Sequence, residues 1–279
     1  MKPKIYGVLG YPVKHSFSPA MHNAAFRVLH IDAEYRYFEK KAQELGPFLV
    51  SLANEGIFGL NVTVPYKEKV LPFLAKVSHE ARMIGAVNTI KVAGRLLEGF
   101  NTDGEGFLKH LKADLDFKPQ DKTVAIIGAG GAARAIAVYL AKERVKKISL
   151  FDIDIAKARL LLEQLKNNLW DTVFYAADSV ADLKIPESDL LVNATPIGMK
   201  EGDPCLVAQD LLHRDLLVYD LIYNPRETKL LSSAGKKGLK TANGLGMLLY
   251  QGALSFEIWT ANSAPLEAMR QALTEVVYK

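Results

Sequence analysis

Residues 124–133 read Val-Ala-Ile-Ile-Gly-Ala-Gly-Gly-Ala-Ala, and this stretch decides the fold. Its apolar start is typical of a strand buried on both faces of a sheet. Gly128 permits the tight turn that follows, Gly130 leaves room for a pyrophosphate group, and Ala133 suits close packing of helix against strand. A helical pattern over 131–144 and a second apolar strand ending at Asp152 come next. This order predicts a dinucleotide-binding unit rather than an ordinary strand-to-helix turn.

The predicted cofactor contacts begin at the glycine turn. Free N–H groups and the helix dipole attract the pyrophosphate at the start of the helix, where the residues are Gly128, Ala129, Gly130, Gly131 and Ala132. A carboxylate at the end of the second strand accepts hydrogen bonds from the adenosine ribose and repels a 2′-phosphate. Asp152 therefore favours NAD as the cofactor, with NADP as the alternative.

Composition limits the class of protein. At 279 residues the chain is long enough for about two domains of roughly 150 residues each. A net charge of +4 without a run of Lys and Arg argues against a nucleic-acid surface, and no apolar stretch is long enough to span a membrane. The single cysteine, Cys205, forms no internal disulfide and fits a reduced, cytoplasmic location. The six histidines show no metal-ligand spacing.

Hydrophobic patterning predicts an α/β fold with largely parallel sheets covered on both sides. The pattern changes near Gly104, which is where we expect the boundary between two domains. Strands are predicted over 5–9, 34–38, 59–64, 86–92, 97–100, 123–127, 147–151, 173–175, 190–193, 216–220 and 239–241. Helices are predicted over 19–29, 42–55, 66–75, 104–115, 131–144, 245–260 and 266–277.

Two serines follow the first predicted strand. Pro19 suits the first position of a helix, and Ser18 suits the N-cap before it. If Ser18 caps the helix, Ser16 is free, and two hydroxyls beside a helix N-terminus suit a small carboxylate. Capping alone is the alternative.

A lysine follows the third predicted strand, in the stretch Asn61-Val-Thr63-Val-Pro65-Tyr-Lys67. Pro65 is predicted to start a helix, which places Lys67 in its first turn. A cation there opposes the helix dipole at a cost of about 0.3–1 kcal/mol, so Lys67 is either solvated at the surface or used in chemistry.

Further short polar side chains lie near the ends of predicted strands. Asn88 lies near the start of the strand predicted over 86–92, and Asn101 and Asp103 follow the strand predicted over 97–100. Open α/β sheets bind their ligands at this kind of edge. Asp103 alone could cap the next helix and Asn88 alone could form a turn, but together with Ser16, Thr63 and Lys67 they indicate a binding site.

These blocks resemble the shikimate dehydrogenase family, and the resemblance covers nearly the whole chain. The matching residues are Ser16-x-Ser18-Pro19, Asn61-Val62-Thr63-Val64-Pro65-x-Lys67, Gly85-Ala86-Val87-Asn88-Thr89, Asn101-Thr102-Asp103-Gly104, Gly128-x-Gly130-Gly131-Ala132, Asn193-Ala194-Thr195-Pro196-x-Gly198-Met199, Tyr223-Asn224-Pro225 and Asn243-Gly244-Leu245-Gly246-Met247. The family reversibly reduces 3-dehydroshikimate to shikimate with a nicotinamide cofactor, in aromatic amino-acid biosynthesis. The resemblance therefore implies an oxidoreductase with a small-molecule substrate.

The resemblance also implies a domain organisation. Residues 1–104 form a substrate-binding α/β/α domain with a mainly parallel sheet, which the helices of 246–279 complete. Residues 105–245 form a Rossmann-type dinucleotide-binding domain, and the two domains flank a cleft. The oligomeric state expected is a monomer or a homodimer.

Roles for individual residues follow from the same resemblance. Lys67 exchanges a proton with the reacting hydroxyl, and Asp103 orients the lysine and the substrate. The implied substrate-binding residues are Ser16, Ser18, Asn61, Thr63, Asn88, Tyr223 and Gln251. Beyond the glycine turn and Asp152, the implied cofactor-binding residues are Asn193, Thr195, Leu221, Gly244 and Met247, although a plain turn around Pro196 is an equal alternative for the 193–199 segment.

The chain departs from the family pattern after the second nucleotide strand. NADP-dependent members usually carry Asn-Arg-Thr there, whereas this chain has Asp152-Ile153-Asp154. The departure supports the expectation of NAD, with Lys157 and Arg159 as basic residues one helical turn further on. Because quinate-oxidising relatives often accept NAD, a quinate/shikimate dehydrogenase is an alternative function. A non-catalytic redox sensor that binds a dinucleotide is another, although a sensor has no need of the lysine, aspartate and hydroxyl set.

Overall fold

The computed structural model describes residues 2–167 and 171–277. In these residues the strands are β1 (Lys4–Gly10), β2 (Ala33–Glu39), β3 (Ile57–Val62), β4 (Lys76–Val77), β5 (Thr89–Ala93), β6 (Leu96–Phe100), β7 (Thr123–Ile127), β8 (Lys147–Phe151), β9 (Val173–Ala176), β10 (Leu190–Asn193), β11 (Leu217–Asp220) and β12 (Thr241–Asn243). The α-helices are α1 (Ser18–Val28), α2 (Leu45–Ser51), α3 (His79–Ile84), α4 (Asp103–Ala113), α5 (Gly131–Lys142), α6 (Ile155–Lys166), α7 (Lys229–Lys236), α8 (Leu245–Thr260) and α9 (Leu266–Val277). The α/β class is confirmed.

Two compact units divide the chain. The first consists of Met1–Gly106 together with Leu248–Lys279, and the second is Phe107–Met247. Each unit contains one sheet of six strands among the described residues. Helices α4 and α8 cross from one unit to the other.

The sheet of the first unit has the order β2-β1-β3-β5-β6-β4. The pairs β1–β2, β1–β3 and β4–β6 are parallel, whereas β5 runs antiparallel to both β3 and β6. This reversal matters for the site, because it brings the start of β5 to the edge where β3 and β6 end. A wholly parallel sheet would place the start of β5 at the opposite edge.

Apolar residues cover both faces of this sheet. On one face, Phe48 and Leu49 of α2 belong to a buried cluster with Leu60 and Ile90 of the strands. On the other face, Trp259 of α8 donates its indole N–H to the carbonyl of Ile90 at 2.9 Å. A Cβ at Gly59 would lie 2.4 Å from the indole nitrogen, so the glycine allows helix and strand to approach closely.

The sheet of the second unit is parallel throughout, with the order β12-β11-β10-β7-β8-β9. The strand order therefore reverses between β7 and β10, which is the topological switch point of a Rossmann-type sheet. The glycine turn of 128–130 follows β7 directly at this point. Buried strands of this kind read as continuous apolar runs, which is why the predicted bounds of β7, β8 and β10 agree with the structure.

Two predicted helices differ from the structure. No α-helix forms over 66–75; the described chain there makes turns and a short 3₁₀ helix at Leu71–Phe73. Pro65 and Pro72 lack the N–H groups that a helix ladder needs, and the carbonyl of Lys67 instead accepts the N–H of Val87 at 2.8 Å. The predicted helix over 42–55 is a 3₁₀ turn at Ala42–Glu44 followed by α2 alone. The sequence analysis also missed β4, α3, α6 and α7.

His22 of α1 is a fully buried titratable group in the first unit. Its ring stacks on Tyr35 with centroids 4.3 Å apart and an interplanar angle of 7°. Burial lowers the pKa of His22 to about 3, and the neighbouring Asn61 amide offsets this only in part. The ring is therefore neutral in the folded protein at neutral pH.

This burial predicts an acid-sensitive stability. Since the folded pKa lies below the unfolded value of 6.5, the unfolded chain takes up a proton that the folded chain excludes until about pH 3. The free energy of unfolding falls as the pH falls through this window, by about 2 kcal/mol between about pH 7 and pH 5 for this group. We expect His22→Phe to lose that part of the pH dependence, and urea unfolding at both pH values measures it. His79→Gln, at an exposed position, is the control; an unchanged difference in His22→Phe would contradict the prediction.

Candidate active site

A lysine and an aspartate from separate segments meet in the first unit. Lys67 lies in the turn after β3, and Asp103 is the first residue of α4. The Lys67 Nζ lies 2.5 Å from the Asp103 Oδ2, and the side chains are 16% and 5% exposed. The expectation that Lys67 occupies the first turn of a helix is wrong, because residues 66–70 form turns. The predicted dipole cost therefore does not apply to it.

The Asn101 side chain, rather than the Asp103 carboxylate, bonds to a backbone N–H at the start of α4. The Oδ1 of Asn101 accepts the backbone N–H of Asp103 at 3.0 Å, and its Nδ2 donates to the carbonyl of Ala86 at 2.9 Å. Asn101 thus satisfies an N–H at the start of α4, as a capping side chain does. The carboxylate of Asp103 is left to bond with side chains, and its place at a helix N-terminus suits a negative charge.

Asn88 forms the second contact of the Asp103 carboxylate. Its Nδ2 donates to the Asp103 Oδ1 at 2.8 Å and lies 3.3 Å from the Gln251 Oε1. Its Oδ1 accepts the backbone N–H of Thr102 at 2.8 Å. The structure therefore brings together Lys67, Asp103, Asn88 and Gln251, and Asn88 is more than a turn residue.

Asn61 and Thr63 lie at the end of β3. Asn61 is buried, its Oδ1 accepts the Tyr35 hydroxyl at 2.8 Å, and its Nδ2 lies 2.9 Å from the Ser255 Oγ. Its amide thus bonds to protein atoms on both sides. Thr63 is half-buried, and its backbone N–H bonds to Leu9 at the end of β1.

The two serines at the start of α1 do not have the roles that the sequence suggested. The N-cap position is Phe17 rather than Ser18, and Ser18 is the first residue of the helix. The Ser16 Oγ accepts the N–H of Ser18 at 3.3 Å and lies 3.1 Å from the Ser18 Oγ. The expectation that Ser16 is free because Ser18 caps the helix is therefore wrong, although both hydroxyls do lie together at the N-terminus of α1.

The glycine turn of the second unit has the form that a pyrophosphate needs. Gly128 has φ +108, and a Cβ there would lie 2.9 Å from the carbonyl oxygen of Ala194. A Cβ at Gly130 would meet no atom within 4 Å, so the space before α5 is open. No side chain of the described residues caps the N-terminus of α5. The open space and the uncapped N–H groups fit a dinucleotide pyrophosphate.

Asp152 anchors this turn. Its Oδ2 accepts the N–H of Ala129 at 2.7 Å, and its Oδ1 accepts the N–H of Asp154 at 2.9 Å. One carboxylate oxygen therefore holds the glycine turn through Ala129, and the other bonds within the loop that follows β8. The acid at this position has a structural task that does not depend on which dinucleotide is bound.

The remaining predicted cofactor residues lie near the ends of β10, β11 and β12. Asn193 is fully buried, its Nδ2 donates to the Asp220 Oδ1 at 3.0 Å, and its Oδ1 accepts from the hydroxyl of Thr195 at 2.7 Å. The carbonyl of Leu221 approaches Gly244 so closely that a Cβ there would lie 1.9 Å from its oxygen. Met247 is buried at the start of α8, and Tyr223 is half-buried after β11.

Sequence reasoning missed two buried polar residues, Asp220 and Ser255. Asp220 is fully buried, and burial raises the pKa of its carboxyl despite hydrogen bonds from Thr228, Ile222 and Asn193. Ser255 bonds to the Asn61 amide in the first unit. Its position one helical turn after Gln251 places it on the same face of α8, which is the signal that could have identified it.

Two negative findings apply to residues 2–167 and 171–277. These residues contain no helix that is both long and apolar enough to cross a membrane. They also contain no group of three His, Cys, Asp or Glu side chains placed to hold a metal ion.

Curated relatives correct the expected cofactor. A protein of Methanopyrus kandleri named shikimate dehydrogenase (NADP(+)) is 44% identical over 276 residues, which are 97% of this chain and 95% of that protein. The preference for NAD predicted from Asp152 is therefore wrong. Asp152 bonds to the backbone N–H groups of Ala129 and Asp154, so its place at the end of β8 has a structural reason and is not by itself a sign of NAD.

Solved structures share the fold over nearly their full length. A crystal structure of shikimate dehydrogenase in complex with NADP+ has a TM-score of 0.91 and 39% identity, covering 100% of this chain and 97% of that one. The Thermus thermophilus enzyme in complex with NADP(H) and shikimate has a TM-score of 0.86 and 34% identity, covering 98% and 99%.

Family models match three successive segments of the chain. Residues 8–90 match the shikimate dehydrogenase substrate binding domain, residues 111–199 match shikimate / quinate 5-dehydrogenase, and residues 244–274 match the shikimate 5'-dehydrogenase C-terminal domain. Together with the paired Lys67 and Asp103 and the glycine turn after β7, these matches show that the chain belongs to the shikimate dehydrogenase family.

Proposed function

We propose that this protein catalyses the reversible reduction of 3-dehydroshikimate to shikimate with NADP(H). The observation that carries the proposal is the 2.5 Å contact between the Lys67 Nζ and the Asp103 Oδ2 within a cluster of hydrogen-bonded amides. The names of the relatives support this substrate and this cofactor. We place the reaction in the cytoplasm, which suits a chain with a single cysteine.

The chemistry requires one hydride and one proton. A bound nicotinamide supplies or accepts the hydride. The Lys67 ammonium donates a proton to the oxygen of the reacting carbonyl, and the neutral amine takes the proton back in the reverse direction. The Asp103 carboxylate holds the amine in place through the 2.5 Å contact with its Oδ2.

Substrate recognition is assigned to polar groups of the first unit. Ser16 and Ser18 bind the carboxylate beside the N-terminus of α1, where the helix dipole favours a negative charge. Asn88, Thr63 and Gln251 bind ring hydroxyls, and Asn61 supports Asn88 through the hydrogen bond from its Nδ2 to the Asn88 carbonyl at 3.3 Å. Tyr223 stays a predicted substrate-binding residue of the second unit.

Dinucleotide binding is assigned to the second unit. The pyrophosphate lies on the turn of Gly128, Ala129, Gly130, Gly131 and Ala132. Asp152 holds that turn in shape through Ala129. The strand-end residues Asn193, Thr195, Leu221, Gly244 and Met247 complete the proposed cofactor contacts.

Removal of the lysine tests the proton-transfer role. We expect Lys67→Ala to lower kcat for shikimate oxidation by about 10²–10⁴-fold, because proton transfer contributes on that order. The KM for shikimate should change little, since the serines and amides remain. Lys69→Ala is the matched control, because Lys69 is an exposed cation in the same turn. A kcat of Lys67→Ala close to wild type would refute the assignment.

The cofactor assignment is tested by assays with both dinucleotides. We expect kcat/KM with NADP+ to exceed that with NAD+ for the wild-type protein, and the opposite ranking would contradict the proposal. In Asp152→Ala the KM values for both dinucleotides should rise by similar factors, because the carboxylate holds a turn that both would use. Repeating the assays with quinate establishes whether it is a second substrate, as the name of the family model for residues 111–199 suggests.

A further inference from the structure

Two buried hydroxyls lie behind the amide of Asn88. Thr89 is the first residue of β5 and Ser255 lies in α8, and both are 0% exposed. Their side-chain oxygens are 2.7 Å apart. Neither residue contacts the Lys67 amine directly in any hydrogen bond of the described chain, so a role in the reaction must act through other groups.

Two neighbouring groups fix the orientation of the Asn88 amide, because one can act only as a hydrogen-bond donor and the other as an acceptor. The backbone N–H of Thr102 can only donate, so the atom facing it at 2.8 Å is the Asn88 Oδ1. The Nδ2 therefore faces the Asp103 carboxylate at 2.8 Å, which can accept its proton. The Thr89 hydroxyl strengthens this orientation by donating to the same Oδ1 at 2.9 Å.

Ser255 joins Thr89 to two other parts of the site. Its Oγ accepts from the Asn61 Nδ2 at 2.9 Å and lies within 2.9 Å of the carbonyl oxygen of Gln251, one helical turn earlier. A hydroxyl can donate one hydrogen bond and accept others. The single Ser255 proton goes either to the Gln251 carbonyl or to the Thr89 Oγ1. In the second arrangement Thr89 accepts from Ser255 while it donates its own proton to the Asn88 Oδ1.

We propose that Thr89 and Ser255 are positioning residues: they hold the Asn88 amide and, through it, the Asp103 carboxylate in line with the Lys67 amine. The proposal rests on the proposed function of the Lys67–Asp103 pair. Inside a protein a buried polar network is strong when every member is bonded and costly when one bond is missing. Loss of the Thr89 hydroxyl leaves both the Asn88 Oδ1 and the Ser255 Oγ one partner short.

The test compares two substitutions at Thr89. Thr89→Val keeps the shape and removes the hydroxyl, whereas Thr89→Ser keeps the hydroxyl and removes a methyl group. We expect Thr89→Val to lower kcat for shikimate oxidation about tenfold through misalignment of the catalytic pair. The KM for NADP+ should be unchanged, because the glycine turn belongs to the other unit. Thr89→Ser should regain kcat to within about threefold of wild type.

A matched control separates positioning from stability. Thr172→Val removes another buried threonine hydroxyl, which bonds to the Val145 carbonyl at 2.8 Å in the second unit. We expect it to lower the melting temperature and to leave kcat unchanged. If Thr89→Val also lowers only the melting temperature, or if Thr89→Ser loses as much kcat as Thr89→Val, the inference is overturned.

A second variant and the wild-type activity cover the cases in which Thr89→Val does not fold or the proposed function is wrong. If Thr89→Val does not fold, Ser255→Ala takes its place: a severalfold loss of kcat with an unchanged KM for NADP+ supports the inference, and an unchanged kcat overturns it. A wild-type protein without activity on shikimate would contradict the proposed function itself. If the wild-type protein is active and the folded Thr89→Val variant has an unchanged kcat, only the positioning roles of Thr89 and Ser255 are contradicted.

Discussion

The ion pair between Lys67 and Asp103 is the interaction on which the candidate site of the first unit depends. Removing two charges from water costs several kcal/mol for each ion, and their attraction offsets this only with good geometry and further hydrogen bonds. The second carboxylate oxygen of Asp103 accepts from Asn88, and the N-terminus of α4 favours its charge. The Lys67 side chain keeps some exposure, so its ammonium is only partly desolvated. These conditions make a charged pair possible at a site that must also admit a substrate.

The sheet of the first unit places Lys67 and Asp103 at the same edge. β3 ends just before the turn of Lys67, and β6 ends just before Asn101 and Asp103. Because β5 runs antiparallel to both of these strands, its first residue, Thr89, lies at the same edge. Asn88 is tied there by bonds of its backbone to Val62 and Phe100. The reversed direction of β5 thus brings Asn88 and Thr89 next to Asp103, which a parallel strand at this position would not do.

Local patterns predicted the second unit better than the first. Long apolar runs and a glycine turn leave few alternatives in its sheet, so the bounds of β7, β8 and β10 were predicted as the structure has them. The helix predicted after β3 was wrong, and there the Lys67 carbonyl accepts the N–H of Val87 from the segment before β5. At α1 the capping pattern identified the correct helix start within one residue but gave Ser16 and Ser18 the wrong roles. The acid of Asp152 misled the cofactor prediction because its bonds to backbone N–H groups cannot be inferred from its identity.

The sequence by itself determined the α/β class, the glycine turn and the family to which the chain belongs, because these depend on hydrophobic period and on residues at short spacing. It also selected Lys67, Asp103 and Asn88 as candidates. Only the tertiary structure decided which groups bond to which. The Thr89 and Ser255 hydroxyls are 166 residues apart in the chain, and hydrogen bonds act over a few ångströms. A contact of that kind exists only after α8 has packed against β5, so no local pattern specifies it.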